Sequence, residues 1–211
     1  MFVLNTKTRV DKVFKMRELG KLLKVDQAMK EEAKVIDKIV LQQVLSQGTL
    51  NIKSSVDCQE MYIFGIWMQE KEVPMHWIKA LDQLTSLHTY FVVYYRQEVK
   101  ELCIYRKLEQ DIIKRYKTYE SPWRQEVEQT LPHCKHLLDV YEAYLKALIP
   151  LEQQEGEMIQ QLLQRYEEVQ KLDKQIKILE QKINREKQPK KKFELARQLR
   201  TLQGDYNKKR G

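Results

Sequence analysis

The amino-acid sequence predicts an α+β protein: a small mixed sheet flanked by helices, followed by a C-terminal antiparallel helical hairpin or coiled coil. Three observations carry this prediction. Aromatic and β-branched residues concentrate between 60 and 108, as strands prefer. The last third carries two apolar seams at three- and four-residue spacing, separated by Pro189. Charge divides the chain at a similar place: Lys171 to Gly211 holds 14 Lys and Arg against 5 Asp and Glu, whereas the first 170 residues hold 24 against 25. The expected organisation is a globular domain over 1–150 and a basic helical hairpin over 151–211.

Taken in order, 7–50 has helical periodicity, with Val25, Met29, Ile36, Ile39, Val40, Val44 and Leu45 recurring mostly three or four apart. This spacing predicts one amphipathic helix from Asp26 to Ser46, with Asp26 as N-cap and Gly48 just beyond its end. An earlier short helix is expected in VFKMRELGKLL, ending near Gly20, and TLNIKSSVDCQ reads as a connection. The strands follow: EMYIFGIWMQ (60–69), HTYFVVYYRQ (88–97) and VKELCIYRKL (99–108). Between the first two, Pro74 suits the first turn of a helix that aligns Trp77, Ile78, Leu81 and Leu84.

The order is therefore strand, helix, strand, strand. So few residues separate the last two strands, around Gln97 and Glu98, that they must form an antiparallel hairpin. Residues 90–95 lack polar alternation, which predicts a central strand covered on both faces. RYKTYE (115–120) can add a fourth strand, and KHLLDVYEAYLKALI (135–149) is a further amphipathic helix stopped by Pro150.

In the last third, Ile159, Leu162, Tyr166, Val169, Leu172, Ile176, Leu179 and Ile183 form one seam, and Leu195, Leu199, Leu202 and Tyr206 the other. Proline removes a helical hydrogen bond and disfavours helix at the residue before it, so the chain should break near 186–191 and fold back. The first arm would span ~45 Å. A kinked helix that pairs with a second chain satisfies the same seams. Because the first seam outruns the second, part of it must pack on the globular body or on a partner.

TRVDKVFKMRELGKLL, TLNI, QEMYIFGIWMQEKEVP, YFVVYYRQEVKELCIYRK, SPW and LDKQIKILEQKINREKQPKKKFELARQLRTL, in this order, resemble a bacterial and archaeal family known as a domain of unknown function, number 4391. The resemblance covers almost the whole chain, and its EKQ…KK.EL…L ending is the most distinctive part. It implies a setting among genes for helicases and DNA methyltransferases, in loci of restriction or anti-phage type. It implies no catalytic residue.

The residues themselves offer little conventional catalytic chemistry. There is no GxxxxGK[ST] or GxGxxG loop to cradle phosphate and no GxSxG elbow. Glu98-Val99-Lys100 has the acid-x-lysine spacing of metal-dependent nucleases, but the preceding strand supplies no acid. His133, Cys134 and His136 form the one local cluster of metal-ligand types and fall short of the usual four, so no metal or other cofactor is expected. His76 and His88 read as surface or core-edge residues. The aromatics of 61–67 and 90–95 could stack on bases, but their aliphatic neighbours favour core packing. Three cysteines without CxxC spacing fit a reducing, cytoplasmic setting, and no run of ~20 apolar residues predicts a membrane helix.

What remains is Arg185, Lys187, Lys190, Lys191 and Lys192 at the hairpin tip. They could neutralise phosphates without reading bases, giving a log–log salt slope of about −4. The same charge also fits a solvated helix turn. The reading is a non-enzymatic adaptor of a DNA-directed defence or restriction-like complex. It would bind a helicase or another subunit, and nucleic acid through the arm. The alternatives are a nucleic-acid enzyme, such as a metal-dependent nuclease, and a self-assembling coiled coil whose leucine seams join copies of the chain.

Overall fold

The computed structural model describes residues 2–85, 87–109 and 112–211. They form two compact units, Met1–Leu148 and Ile149–Gly211. The first unit opens with β1 (Phe2–Val3), β2 (Arg9–Phe14), α1 (Met16–Leu22), α2 (Gln27–Ala33), β3 (Ile36–Ser46) and the single turn α3 (Gln47–Leu50). Then come β4 (Glu60–Met68), α4 (Met75–Leu84), β5 (His88–Tyr95), β6 (Glu98–Glu109) and β7 (Ile112–Glu120). The short strands β8 (Arg124–Gln125) and β9 (Gln129–Thr130) precede α5 (Leu137–Lys146).

The main sheet runs β2-β3-β4-β5-β6-β7, with β8 also paired to β6. β4 and β5 are parallel and joined through α4, while the other neighbours are antiparallel. The expected strand-helix-strand-strand core is present and β7 extends it. The sheet is nevertheless larger than predicted, because β2 and β3 add two strands on the other side.

That addition corrects the helix expected from Asp26 to Ser46. Asp26 does cap a helix, its carboxylate accepting the Met29 N–H at 2.8 Å, but α2 stops at Ala33. From Ile36 the chain is a strand with register shifts at 36–38 and 41–43. Each bulge adds a residue and advances the alternation of faces. The buried positions therefore fall at Ile36, Ile39, Val40 and Leu45, a spacing that imitates a helix. The concentration of Val and Ile there is the strand signal that periodicity masked.

One face of the sheet packs against α1, α2 and α4, in a core of Leu19, Met29, Ile39, Phe64, Ile66, Trp77, Ile78, Leu81, Phe91 and Val93. Leu84, expected on the apolar side of α4, is half exposed. Pro74 stands at the N-cap rather than inside the first turn and supplies no capping side chain. The Glu32 carboxylate of α2 takes that role, accepting the N–H groups of His76 (3.1 Å) and Trp77 (3.2 Å), and Trp77 Nε1 donates to the Met29 carbonyl at 2.8 Å. An indole hydrogen bond and a shared cap thus fix α4 on α2.

The opposite face carries an aromatic cluster. Tyr144 of α5 meets Phe2 and Tyr90 edge-to-face at 4.8 and 4.7 Å. Residues 88–93 of β5 are buried throughout, because both faces of this central strand are covered. The β5–β6 hairpin turns at Arg96, which adopts a left-handed φ of 54°.

The second unit contains α6 (Ile159–Arg185) and α7 (Pro189–Arg210), packed against each other. They run antiparallel: Lys209, near the end of α7, pairs with Glu168, near the start of α6, at 2.5 Å. Arg165 clamps this base, donating in bidentate fashion to Glu157 (2.7 and 2.8 Å) and to the carbonyls of Glu152 and Lys209. Its guanidinium, chiefly by hydrogen bonding, holds the Glu157 carboxyl below the usual range. Val169 and Leu179 are buried in the first seam, whereas Leu195, Leu199, Leu202 and Tyr206 of α7 are only half-buried. Of the two arrangements compatible with the seams, the chain adopts the hairpin.

Candidate nucleic-acid interface

The hairpin tip is built by local chain chemistry. Glu186 leaves the helix in an extended conformation, and Gln188, which precedes proline, stays extended at φ −82°, ψ 117°. Pro189 then starts α7, where its missing N–H costs nothing. The first regular bond of α7 runs from the Lys192 N–H to the Gln188 carbonyl at 3.0 Å. Among the described residues the N–H groups of Lys190 and Lys191 donate to no acceptor, and Gln188 makes no side-chain cap.

All five cations singled out in the sequence lie on this tip and are exposed: Arg185 ends α6, Lys187 is in the connection, and Lys190, Lys191 and Lys192 occupy the first turn of α7. Among the described residues none has a carboxylate within ion-pair distance. Arg185 sits favourably at the negative end of a helix dipole, but the three lysines sit at a positive end. Helix stability alone would put acids there, and the first turn has none. The tip concentrates positive charge and free N–H donors where an anion is the natural complement.

The family comparison agrees with the resemblance read from the residues. The profile of the family described as Domain of unknown function (DUF4391) matches residues 4–205. The chain belongs to this family. Compared with curated proteins and with solved structures, it finds no significant match.

The other flagged residues have structural partners. Glu98 accepts from Lys71 Nζ at 2.6 Å, and Lys100 pairs with Glu120 at 3.1 Å, so the acid-x-lysine spacing is spent on two separate ion pairs. Asp139 accepts the N–H groups of Lys135 and His136 at the start of α5, while Cys134 Sγ donates to the Pro132 carbonyl. Among the described residues no group of three or more His, Cys, Asp or Glu side chains converges as a metal site. His76 pairs with Glu32 at 2.7 Å. His88 is a core residue, edge-on to Tyr141 at 4.2 Å, and burial, aided by Arg106, pushes its pKa down to about 4.

Of the aromatics considered for base stacking, Phe64, Tyr90 and Phe91 are buried. The four partly exposed rings are engaged as well: Trp67 stacks on Tyr94 at 4.5 Å with Lys38 over its ring, Tyr62 meets Phe64 edge-on at 6.4 Å, and Tyr95 meets Trp123 edge-on at 6.5 Å with Arg96 over its ring. Among the described residues no helix is long and apolar enough to cross a membrane.

Sequence reasoning missed a buried polar network. Arg106 of β6 donates to Asp82 Oδ1 and to the Asp82 and Thr85 carbonyls at the end of α4, and Thr89 donates to the same carboxylate at 2.5 Å. Both charged side chains are fully buried. A second buried carboxylate, Glu101, pairs with Arg124. The signal lay in Asp82 interrupting the apolar side of α4 and Arg106 closing the continuous apolar run 102–105 of β6. These groups tie the sheet to its helices, and the exposed chemistry is left to the arm.

Proposed function

We propose that this protein is a non-enzymatic accessory subunit of a DNA-directed anti-phage defence or restriction-like complex in the cytoplasm, with its arm approaching nucleic acid. The observation that carries the reading is the set of three lysines, without an ion-pair partner among the described residues, at an uncapped helix N-terminus, against the interest of the isolated helix. A phosphate group would satisfy the free N–H donors and the lysines together. The defence setting rests on the gene neighbours implied by the family resemblance. The half-buried seam of α7 supports the adaptor part, since Leu195, Leu199, Leu202 and Tyr206 leave apolar surface for a helicase-type subunit.

Fluorescence anisotropy of the full chain against duplex DNA, single-stranded DNA and RNA at two salt concentrations tests the arm. Salt-sensitive binding is expected, with a log–log slope of about −4 if five phosphates are neutralised. The Lys190→Glu/Lys191→Glu/Lys192→Glu variant should lose it. Unchanged binding by that variant would overturn the phosphate-contact role. Co-purification from the native locus tests the adaptor part, and retention of no other subunit would sink it. The same half-buried seam supports a second reading, self-assembly through α7, which light scattering showing only monomer would remove.

A further inference from the structure

We infer that single-stranded nucleic acid lies along the outer face of α7, with an unpaired base stacked on Phe193. This rests on the phosphate-contact reading of the same arm and extends it from the tip to a specific face and substrate class. At 100° per residue, Lys190, Phe193, Arg197, Arg200, Gly204 and Lys208 form one narrow stripe, roughly opposite the Leu195–Leu199–Leu202–Tyr206 seam. All six are exposed. The stripe extends about 27 Å at 1.5 Å per residue.

Three features distinguish it from an ordinary solvated helix face. Among the described residues its four cations have no carboxylate partner, whereas Lys177 and Lys209 elsewhere on the hairpin are paired with Asp173 and Glu168. The two acids of α7, Glu194 and Asp205, flank the stripe on one side and leave it purely positive. Solvated helices commonly intersperse both signs, which this face does not.

Phe193 is the second feature. It is 74% exposed and, among the described residues, makes no ring contact with another aromatic or a cation. An aromatic ring placed between cations on a helix offers a flat stacking surface beside phosphate-binding groups, the combination used to hold single strands without sequence preference. Bases within a duplex are already stacked and do not present a face to such a ring. Third, Gly204 interrupts the helix within the same stripe, and a Cβ there would meet nothing within 4 Å. No packing constraint explains so poor a helix former, while its missing side chain permits close approach by a backbone.

The test uses the full chain with labelled oligothymidylate and a duplex of equal length, each at two salt concentrations. Circular dichroism confirms that every variant keeps the helical content. Phe193→Ala should weaken single-strand binding roughly five- to a hundred-fold with the salt slope unchanged, because stacking is lost and phosphate contacts are kept. Phe193→Trp should retain the affinity, and duplex affinity should be indifferent to either change. Arg197→Ala/Arg200→Ala should flatten the single-strand salt slope by about 1.4, at 0.7 per phosphate contact.

If Phe193→Ala binds oligothymidylate as the wild type does, while the triple Lys→Glu variant does not, the stripe inference fails and the tip contact survives. Equal losses on duplex and single strand would likewise overturn the single-strand assignment. If the wild type binds neither at low salt, both readings fail, and the cations serve an acidic protein or solvation.

Discussion

Replacing Arg106 with methionine should destabilise the first unit by about 3–5 kcal/mol, the usual cost of removing one partner from a buried ion pair. The structure supports the upper class of effect. Both side chains are 0% exposed, so the Asp82 carboxylate cannot recover solvation when its partner is lost. The same guanidinium also satisfies the carbonyls of Asp82 and Thr85 where α4 ends, so a helix terminus loses its cap as well. Methionine keeps much of the stem volume, which separates the charge effect from cavity formation. At about 2–4 °C per kcal/mol for a unit of this size, the melting temperature should fall by about 6–20 °C. Trp67, Trp77 and Trp123 all lie in the first unit, so urea unfolding followed by tryptophan fluorescence reports this unit and not the hairpin. The Asp82→Leu/Arg106→Met double variant should recover part of the loss, since no buried charge remains, although the two carbonyls stay unsatisfied. A loss below about 1 kcal/mol for the single variant, the scale of an exposed ion pair, would refute the reasoning.

Two further outcomes follow from the core. Burial depresses the His88 pKa from its ordinary 6.5 to about 4, so the unfolded chain binds the proton more readily between those values. Its contribution to stability is fully present above about pH 6.5 and is lost as pH falls toward 4, at most roughly 3 kcal/mol. The non-titrating His88→Phe variant should show a shallower decline across that window, and a parallel decline in urea midpoints would contradict the assignment. Gly65→Ala should cost about 1–3 kcal/mol. Its new Cβ would stand 2.7 Å from the Trp67 ring and 2.8 Å from Gln42 Cδ, forcing the Trp67–Tyr94 stack to shift. Fluorescence-detected unfolding measures the change, and an unaltered midpoint with an unaltered emission maximum would refute it.

The candidate site was legible because its signals are local. Proline disfavours helix at the residue before it and suits the start of the next, so the break at 186–188 follows from Pro189 without tertiary information. The seams, the five basic residues and the asymmetry of charge are equally visible in one dimension. The outer stripe of α7 was also readable, since Lys190, Phe193, Arg197 and Arg200 recur at helical spacing. It gained meaning once the half-buried seam, the exposure of Phe193 and the missing ion pairs defined which side of the helix is free.

The sequence by itself determined the α+β class, the three strands within 60–109, the tight β5–β6 turn and the chain reversal at Pro189, because composition and turn chemistry act over a few residues. Tertiary structure decided that 36–46 is a strand. Its two bulges alter the alternation, and its hydrogen bonds go to β2 and β4, partners that no local pattern identifies. Tertiary structure likewise decided that Asp82 and Arg106 meet: they lie 24 residues apart, and only the packing of α4 on the sheet brings one charge to the other in a place without water.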